Sequence, residues 1–193
     1  MLLQANLSRG DLAHFLGMLT PLTIRLSEPA GPLHELVISP PDTIELVPAR
    51  GLRIVTTLLL SWTVAGVEVP IKANLAQLLL LPTIAVRDGR NALVFSLLLE
   101  AIDLRHVPGF LDAPILERIN RAFAEQDATL SWDFIKTLSF DFKMPSRMTS
   151  VDRITLNAGK GVVRVTGEAI HVAVSFETAA VLASDAAASP PRL

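Results

Sequence analysis

The chain has 193 residues, of which half are hydrophobic and 19% are charged, and its formal net charge is −2 at pH 7. This length is sufficient for one domain with a substantial core. The small negative charge gives no electrostatic reason to expect a nucleic acid partner, and the absence of cysteine excludes disulfides and thiolate metal sites. The apolar runs are much shorter than the roughly 20 residues of a membrane-spanning helix, so we expect no transmembrane segment.

The N-terminal segment is predicted to contain a short helix. Ser8 has the residue type of an N-cap, and Asp11 follows near the positive end of the helix. Pro21 ends the segment, whose apolar residues are Leu12, Phe15, Leu16 and Leu19. The start of the chain lacks the basic region and apolar run of a signal peptide. We therefore expect a cytoplasmic protein, or a periplasmic one if the chain has been trimmed.

From Pro21 to Val107 the pattern predicts β-strands, because apolar and polar residues alternate and turn residues separate the runs. Asp88-Gly89-Arg90-Asn91 has the composition of a hairpin turn. Residues 71–81 favour a strand, with a helical turn at 75–80 as the alternative. The predicted strands are 22–26, 36–38, 44–46, 52–64, 67–69, 71–81, 83–86 and 93–104.

The strand predicted at 93–104 has two apolar faces, and such strands are usually covered on both sides. It carries Glu100 and Asp103, the two carboxylates that most suggest chemistry. Alternation places them on opposite faces, so a regular strand cannot hold them as a close acid–base pair. Asp103 shares a face with Arg105, and an ion pair between these two is the favoured interpretation.

An amphipathic helix is predicted at about 113–124. Asp112 is its expected cap, and Pro114 lies in the first turn, where a missing N–H has no cost. Glu117 and Arg121 have the favourable i,i+4 spacing on the polar face. The apolar stripe consists of Ile115, Leu116, Ile119, Ala122 and Phe123.

Residues 128–138 are ambiguous, because Leu130, Trp132 and Phe134 alternate as in a strand, whereas helical spacing is also present. A short helix is favoured there, followed by a strand at 139–143 and a hairpin. The hairpin strands are 151–156 and 162–166, and Asn157 to Gly161 is interpreted as the turn between them. A further strand is expected at 170–176. We expect one domain over residues 1–178 and a flexible tail at 179–193, which is small, polar and rich in proline at its end.

No catalytic motif is present. The four histidines lie on different predicted elements, and none has zinc-ligand spacing with another histidine or glutamate; they are His14, His34, His106 and His171. There is no Gly-x-Ser-x-Gly motif and no cysteine nucleophile. We therefore expect a protein that is not an enzyme and that has no metal site and no cofactor.

The order of the elements resembles that of the tubular lipid-binding (TULIP-like) proteins, and among them the bacterial YceB-like lipoproteins. The segments that carry the resemblance are 93–97 through 102–103, 115–123, 142–145, and 151–156 with 163–167. The chain departs from the lipoproteins because it has no signal peptide and no lipobox cysteine. The resemblance implies an α+β fold in which a highly curved antiparallel sheet wraps around a long amphipathic helix, with a short N-terminal helix before it.

Both the composition and the resemblance indicate apolar surface that must be covered. The favoured hypothesis is binding, or transport, of a lipid or another hydrophobic molecule in an apolar groove between sheet and helix, with peripheral membrane contact allowed. The other hypothesis is an interaction or assembly module with a self-filled core, such as a homodimer. The expected groove residues are Trp62, Phe95, Leu97, Leu99, Ile119, Phe123 and Trp132.

Overall fold

A computed structural model of the chain describes residues 1–25, 33–64, 67–105, 107–125, 129–143 and 151–182. The strands in these ranges are β1 (Leu2–Ser8), β2 (Leu22–Arg25), β3 (Leu33–Ile38), β4 (Thr43–Val47), β5 (Gly51–Val64), β6 (Val67–Arg87), β7 (Arg90–Leu104), β8 (Thr129–Trp132), β9 (Phe140–Lys143), β10 (Val151–Val165) and β11 (Ala169–Leu182). The helices are α1 (Arg9–Leu19), α2 (Asp112–Glu125) and α3 (Phe134–Leu138), and a 3₁₀ turn at Gly109–Leu111 precedes α2.

The strands form two antiparallel sheets. Sheet A has the order β1-β11-β10-β9, and sheet B has the order β2-β3-β5-β6-β7-β8 with β4 paired to the start of β5. Both sheets are curved. Side chains from both sheets and from all three helices belong to one apolar core cluster.

The expected α+β fold with a long wrapped helix is wrong, because the described chain is mostly strand and its helices are short. The longest helix, α2, has 14 residues, whereas β6 alone has 21. The curved antiparallel sheet and the short N-terminal helix are confirmed. The prediction assigned the excess apolar surface to one sheet and one long helix. In the structure much of this surface is covered by a second sheet, as in a two-layer β fold.

Strand β6 is continuous through two prolines. The separate strands predicted at 71–81 and 83–86 are one strand, and the helical alternative at 75–80 is wrong. Pro82 lies beyond Leu80, the last residue of β6 that pairs with β5, and Pro70 lies beyond the end of β7. Each proline therefore has a neighbouring strand on one side only, so the missing N–H leaves no sheet hydrogen bond unmade.

The turn between β6 and β7 is the tight hairpin that the sequence predicts. Asp88 and Gly89 both have positive φ, 49° and 75°, between the paired residues Arg87 and Arg90. Two successive positive φ values are typical of a type I′ turn, for which Asp-Gly is a preferred pair.

Residues 157–161 do not form the predicted hairpin turn. They lie inside β10, which runs from Val151 to Val165 with a register shift between Ala158 and Gly161. A Cβ at Gly161 would lie 2.7 Å from Cζ of Phe134, a ring that is fully buried. The glycine is therefore required for packing between sheet A and α3, and the chain reverses instead near Thr166, whose N–H donates to the Ala169 carbonyl at 3.0 Å.

Helix α2 has the predicted apolar stripe and closes part of an open sheet edge. Ile115, Ile119, Ala122 and Phe123 are buried, and Arg121 pairs with Glu117 at 2.9 Å. Strand β8 pairs with β7 only as far as Ser96. Further along β7, Nδ2 of Asn120 donates to the Leu99 carbonyl and Oδ1 accepts from the Leu99 N–H, both at 2.8 Å. The amide thus replaces a strand neighbour at this edge.

The predicted short helix and strand after residue 128 are found as α3 and β9, with the additional strand β8 before them. Strand β11 extends to Leu182, four residues into the segment predicted as a tail, and residues 183–193 lie outside the described ranges. Within the described ranges, no helix has the length and apolar character needed to cross a membrane.

We expect Gly161→Ala to lower the free energy of unfolding by about 1–3 kcal/mol, because the new Cβ overlaps the Phe134 ring. Chemical denaturation measures this. The matched control is Gly17→Ala in α1, where a Cβ meets nothing within 4 Å and should stabilise the helix by about 0.5–1 kcal/mol. Unchanged stability of Gly161→Ala would show that residues 157–161 form an open turn.

We expect Asn120→Asp to destabilise the fold by about 1–3 kcal/mol, because a carboxylate keeps the acceptor but leaves the Leu99 carbonyl without its donor. Arg118→Ala, at an exposed position of the same helix, should change stability by less than about 0.5 kcal/mol. Thermal and denaturant unfolding compare the two. Equal stability of both variants would mean that the edge of β7 does not depend on Asn120.

Candidate functional site

An apolar groove lies between α1 and the edge strand β8, and we call it the α1–β8 groove. Its volume is about 290 Å³. It is lined by Leu12, Phe15, Leu16, Leu19, Leu52, Leu80, Phe95, Thr129, Leu130, Ser131 and Trp132.

Helix α1 forms the first wall. Ser8 caps it: its hydroxyl accepts from the Asp11 N–H at 3.3 Å, and the Asp11 carboxylate accepts from the Ser8 N–H at 2.9 Å. The Ser8 hydroxyl also donates to the Asp11 carboxylate at 2.6 Å, and this bond, together with the bond from the Ser8 N–H, lowers the pKa of Asp11 below its usual value. The lining side chains of α1 follow i, i+3, i+4 and i+7 spacing, so they form one face of the helix. Of these, Leu12 and Leu16 are buried, whereas Phe15 remains 51% exposed.

Strand β8 forms the second wall with all four of its residues. Side chains of a strand alternate between its two faces, so four consecutive residues can line one groove only if the groove runs along the edge of the strand. Within the described ranges, β8 is the last strand of sheet B and has no partner on its outer side. The groove therefore lies against an open sheet edge.

The floor comes from the inner face of sheet B. Leu52 and Leu80 are cross-strand partners on β5 and β6, and Phe95 is the partner of Leu130 on β8. Leu52 and Leu80 are buried, and Phe95 is half-buried. These strands hold the floor rigidly because each is hydrogen-bonded along its length.

Polar groups in the groove are few and uncharged. The hydroxyls of Thr129 and Ser131 have no hydrogen-bond partner among the described residues. The indole N–H of Trp132 donates to Oγ1 of Thr137 at 3.1 Å, and its ring makes an edge contact with Phe134. None of the described lining residues carries a charge, so the groove favours neutral, mostly apolar groups.

The residues predicted from the sequence separate into two sets. Phe95 and Trp132 line the groove. Leu97 packs against the core, and the remaining described residues, Leu99, Ile119 and Phe123, are buried in it. The side chain of Trp62 lies outside the described part of the structure.

The helix that borders the groove is α1 rather than α2. Ile119 and Phe123 are 0% and 3% exposed, so the apolar stripe of α2 is buried in the core. Residues of α1 were not predicted for the site, although the sequence carries a signal for them. Phe15, Met18 and Leu19 add to Leu12 and Leu16, and these are more apolar residues than one buried face of an 11-residue helix requires.

A second cleft, of about 450 Å³, lies where the turn after β4 meets the turn after β10. The Ala49 N–H donates there to the Val165 carbonyl at 3.1 Å. The cleft is lined by Pro48, Ala49, Arg50, Pro82 and residues 163–167. Since Arg50 is engaged by Glu100, this cleft is better explained as a junction between the sheets than as a binding site.

Glu100, one of the two carboxylates suggested by the sequence, is held in an ion cluster. Its Oε2 accepts from Nε of Arg53 at 2.7 Å, and its Oε1 lies 3.1 Å from Arg50. Arg53 also contacts Glu45 at 3.1 Å. The hydrogen bond from Arg53 lowers the pKa of Glu100, and the same bond raises the pKa of Arg53. Both carboxylate oxygens are engaged, which argues against an acid–base role.

The other polar candidates do not assemble a reactive centre. Asp103 and Arg105, both described, form no ion pair with each other, so that interpretation is wrong. His171 contacts Asn6 at 2.8 Å and Thr166 at 3.2 Å, both within sheet A and its turn. No group of three or more histidine, aspartate or glutamate side chains in the described ranges could hold a metal ion.

The chain matches no protein-family model, no curated protein and no solved structure in the three comparisons made with it. The resemblance to the TULIP-like proteins therefore stays a prediction, and arguments about function depend on the groove itself.

We expect Glu100→Gln to destabilise the protein by about 1–2 kcal/mol at pH 7, through loss of charge-assisted hydrogen bonds. The folded-state pKa of Glu100 lies below its ordinary value of 4.5. The ionised Glu100 side chain therefore contributes fully to the free energy of unfolding at pH values well above 4.5. This contribution is lost as the pH falls through the lowered folded-state pKa. Denaturation between pH 7 and pH 3 should show the difference between the two proteins shrinking with acidification.

The matched control is Glu117→Gln, because Glu117 forms an exposed ion pair with Arg121. It should change stability by less than about 0.5 kcal/mol at any of these pH values. A difference between wild type and Glu100→Gln that stays constant down to pH 3 would contradict the assignment.

Proposed function

We propose that the chain is a non-enzymatic binding protein that holds a hydrophobic ligand, such as the acyl chain of a lipid, in the α1–β8 groove. The observation that carries this proposal is a preformed groove with apolar walls and floor and no charged lining side chain. Concave, mostly apolar sites with a few polar groups are typical of small-molecule binding.

The size of the groove limits what can be buried in it. A cavity of about 150 Å³ lined by apolar side chains takes one benzene molecule, and the α1–β8 groove has about 290 Å³. About a dozen heavy atoms therefore fit. Each buried methylene contributes roughly 0.8 kcal/mol, so part of a chain held in the groove is sufficient for measurable affinity.

The lack of charge in the lining determines how a lipid would bind. A carboxylate or phosphate inside the groove would lose its hydration without gaining a counter-ion, at high energetic cost. A lipid would therefore enter with its tail first and keep its headgroup in water, near the exposed parts of Phe15 and Trp132.

The second candidate function is self-association through β1, and a specific feature favours it. β1 is an edge strand of sheet A, and Leu2 and Leu3 on it are 66% and 43% exposed. Unpaired edges with apolar side chains are surfaces for pairing with another chain. Sedimentation equilibrium of wild type and Leu2→Lys distinguishes this function from ligand binding.

We expect Phe15→Glu to reduce the affinity for the apolar fluorophore N-phenyl-1-naphthylamine at least tenfold, because it places a charge in the lining of the groove. Phe15 is half-exposed, so the variant should fold. The control is Met18→Glu, at a 65% exposed position of the same helix that does not line the groove. It should bind the fluorophore within twofold of wild type.

Tryptophan fluorescence gives a second readout of the same experiment. The chain has two tryptophans, so a Trp62→Phe background leaves Trp132 as the reporter inside the groove. The fluorophore should quench Trp132 in this background. Equal loss of affinity in Phe15→Glu and Met18→Glu, or no binding by the wild type, would refute the proposed function.

A further inference from the structure

The backbone groups on the open edge of β8 can be identified from the register. The Leu99 N–H and carbonyl both bind Asn120, so they point away from β6. β7 pairs with β6 without a register shift from Leu99 to Arg90, and direction alternates along a strand. Phe95 and Leu93 therefore direct their backbone groups to β8, where their partners are Leu130 and Trp132.

It follows that Thr129 and Ser131 direct their backbone N–H and carbonyl groups away from β7, to the open edge. These four groups face the α1–β8 groove, because both residues line it. No strand in the described ranges pairs with them. The hydroxyls of the same two residues also have no partner there.

The groove thus combines an apolar floor with a row of backbone donors and acceptors that no described strand pairs with. An acyl chain would cover this row without making hydrogen bonds, which is unfavourable for buried polar groups. An extended peptide would satisfy the same row and still present side chains to the floor. Peptides commonly bind in this way, as an added strand on an exposed sheet edge.

We propose that the ligand of the α1–β8 groove is an extended, uncharged peptide segment that adds to β8 as a further strand of sheet B. This rests on the proposed function, since it names the ligand of the same groove. The peptide residues opposite Thr129 and Ser131 exchange backbone hydrogen bonds with them. The peptide residues on either side of these positions point to the same face as Leu130 and Phe95. These peptide residues should therefore be apolar and contact the floor of the groove.

The register dictates the sequence of a test peptide. In acetyl-Val-Thr-Val-Thr-Val-amide, the two threonines can pair with Thr129 and Ser131, and the valines face the floor. The control peptide carries N-methyl groups on both threonine nitrogens. It keeps every side chain but cannot donate to the carbonyls of β8.

A matched pair of protein variants tests the same contact from the other side. Ser131→Pro removes an N–H that points to the open edge, a position where proline is tolerated in an edge strand. Ser131→Ala keeps that N–H. The full chain is titrated with each peptide, in the Trp62→Phe background, by Trp132 fluorescence and by displacement of N-phenyl-1-naphthylamine.

We expect the parent peptide to bind and to displace the fluorophore. N-methylation should weaken binding at least tenfold, and so should Ser131→Pro, while Ser131→Ala, which keeps the N–H, should weaken it at least threefold less than Ser131→Pro does. Far-UV circular dichroism and thermal unfolding show whether the Ser131→Pro variant is folded. If it fails to fold, the N-methylated peptide on the wild-type chain decides the question.

The outcomes separate this inference from the proposed function. Equal binding of the two peptides, or displacement of the fluorophore by dodecanol but by neither peptide, overturns strand addition and leaves the groove as a lipid site. Absence of fluorophore binding by the wild type overturns the proposed function.

Discussion

The structure depends on covering the inner face of sheet B along the full length of β5, β6 and β7. This face is largely apolar, and four elements cover it. Sheet A and α3 cover the end near the β6–β7 turn, where Phe134 and Ile84 both lie against Gly161. Helix α1 covers Leu52, Leu80 and part of β7, and α2 packs where β7 continues beyond β8. These elements do not all pack equally closely against sheet B, and the groove lies where α1 packs beside β8.

The difference between α1 and α2 explains why only one of them borders a groove. α2 is longer, and Asn120 fixes it to the backbone of β7 while Ile119 and Phe123 fill the space behind. α1 has 11 residues and buries only Leu12 and Leu16. Its next apolar residues, Phe15 and Leu19, stay partly exposed and line the groove beside β8. Within the described ranges β8 is the last strand of sheet B, so the groove and the open edge lie side by side.

Local patterns were sufficient to predict several elements. The cap at Ser8, the Asp88-Gly89 turn and the apolar stripe of α2 were found where the sequence places them. Each of these depends on residues within one or two turns of chain. The prediction of a turn at residues 157–161 is wrong, because glycines that allow a turn and glycines that allow close packing look the same in a sequence. The reason for Gly161 is the ring of Phe134, which is distant in sequence and becomes its neighbour only after folding.

The same limit applies to the residues expected to line the groove. Phe95 and Trp132 were identified as exposed to a groove, yet Ile119 and Phe123 were placed there with them and lie in the core. A sequence shows how much apolar surface an element carries, but not which partner covers it. The sequence shows the excess of apolar residues in α1, but it does not show that α1 packs beside β8.

The lining of the groove fits the proposed binding function. Catalysis requires groups that can exchange protons or attack a substrate, held in a defined arrangement. The described lining offers two hydroxyls without a basic neighbour and backbone groups at a sheet edge. Glu100, one of the two carboxylates that the sequence suggests for chemistry, is instead engaged by Arg53 and Arg50. Within the described ranges, the groove presents apolar surface beside backbone groups that have no strand partner, and the proposed ligand would contact both.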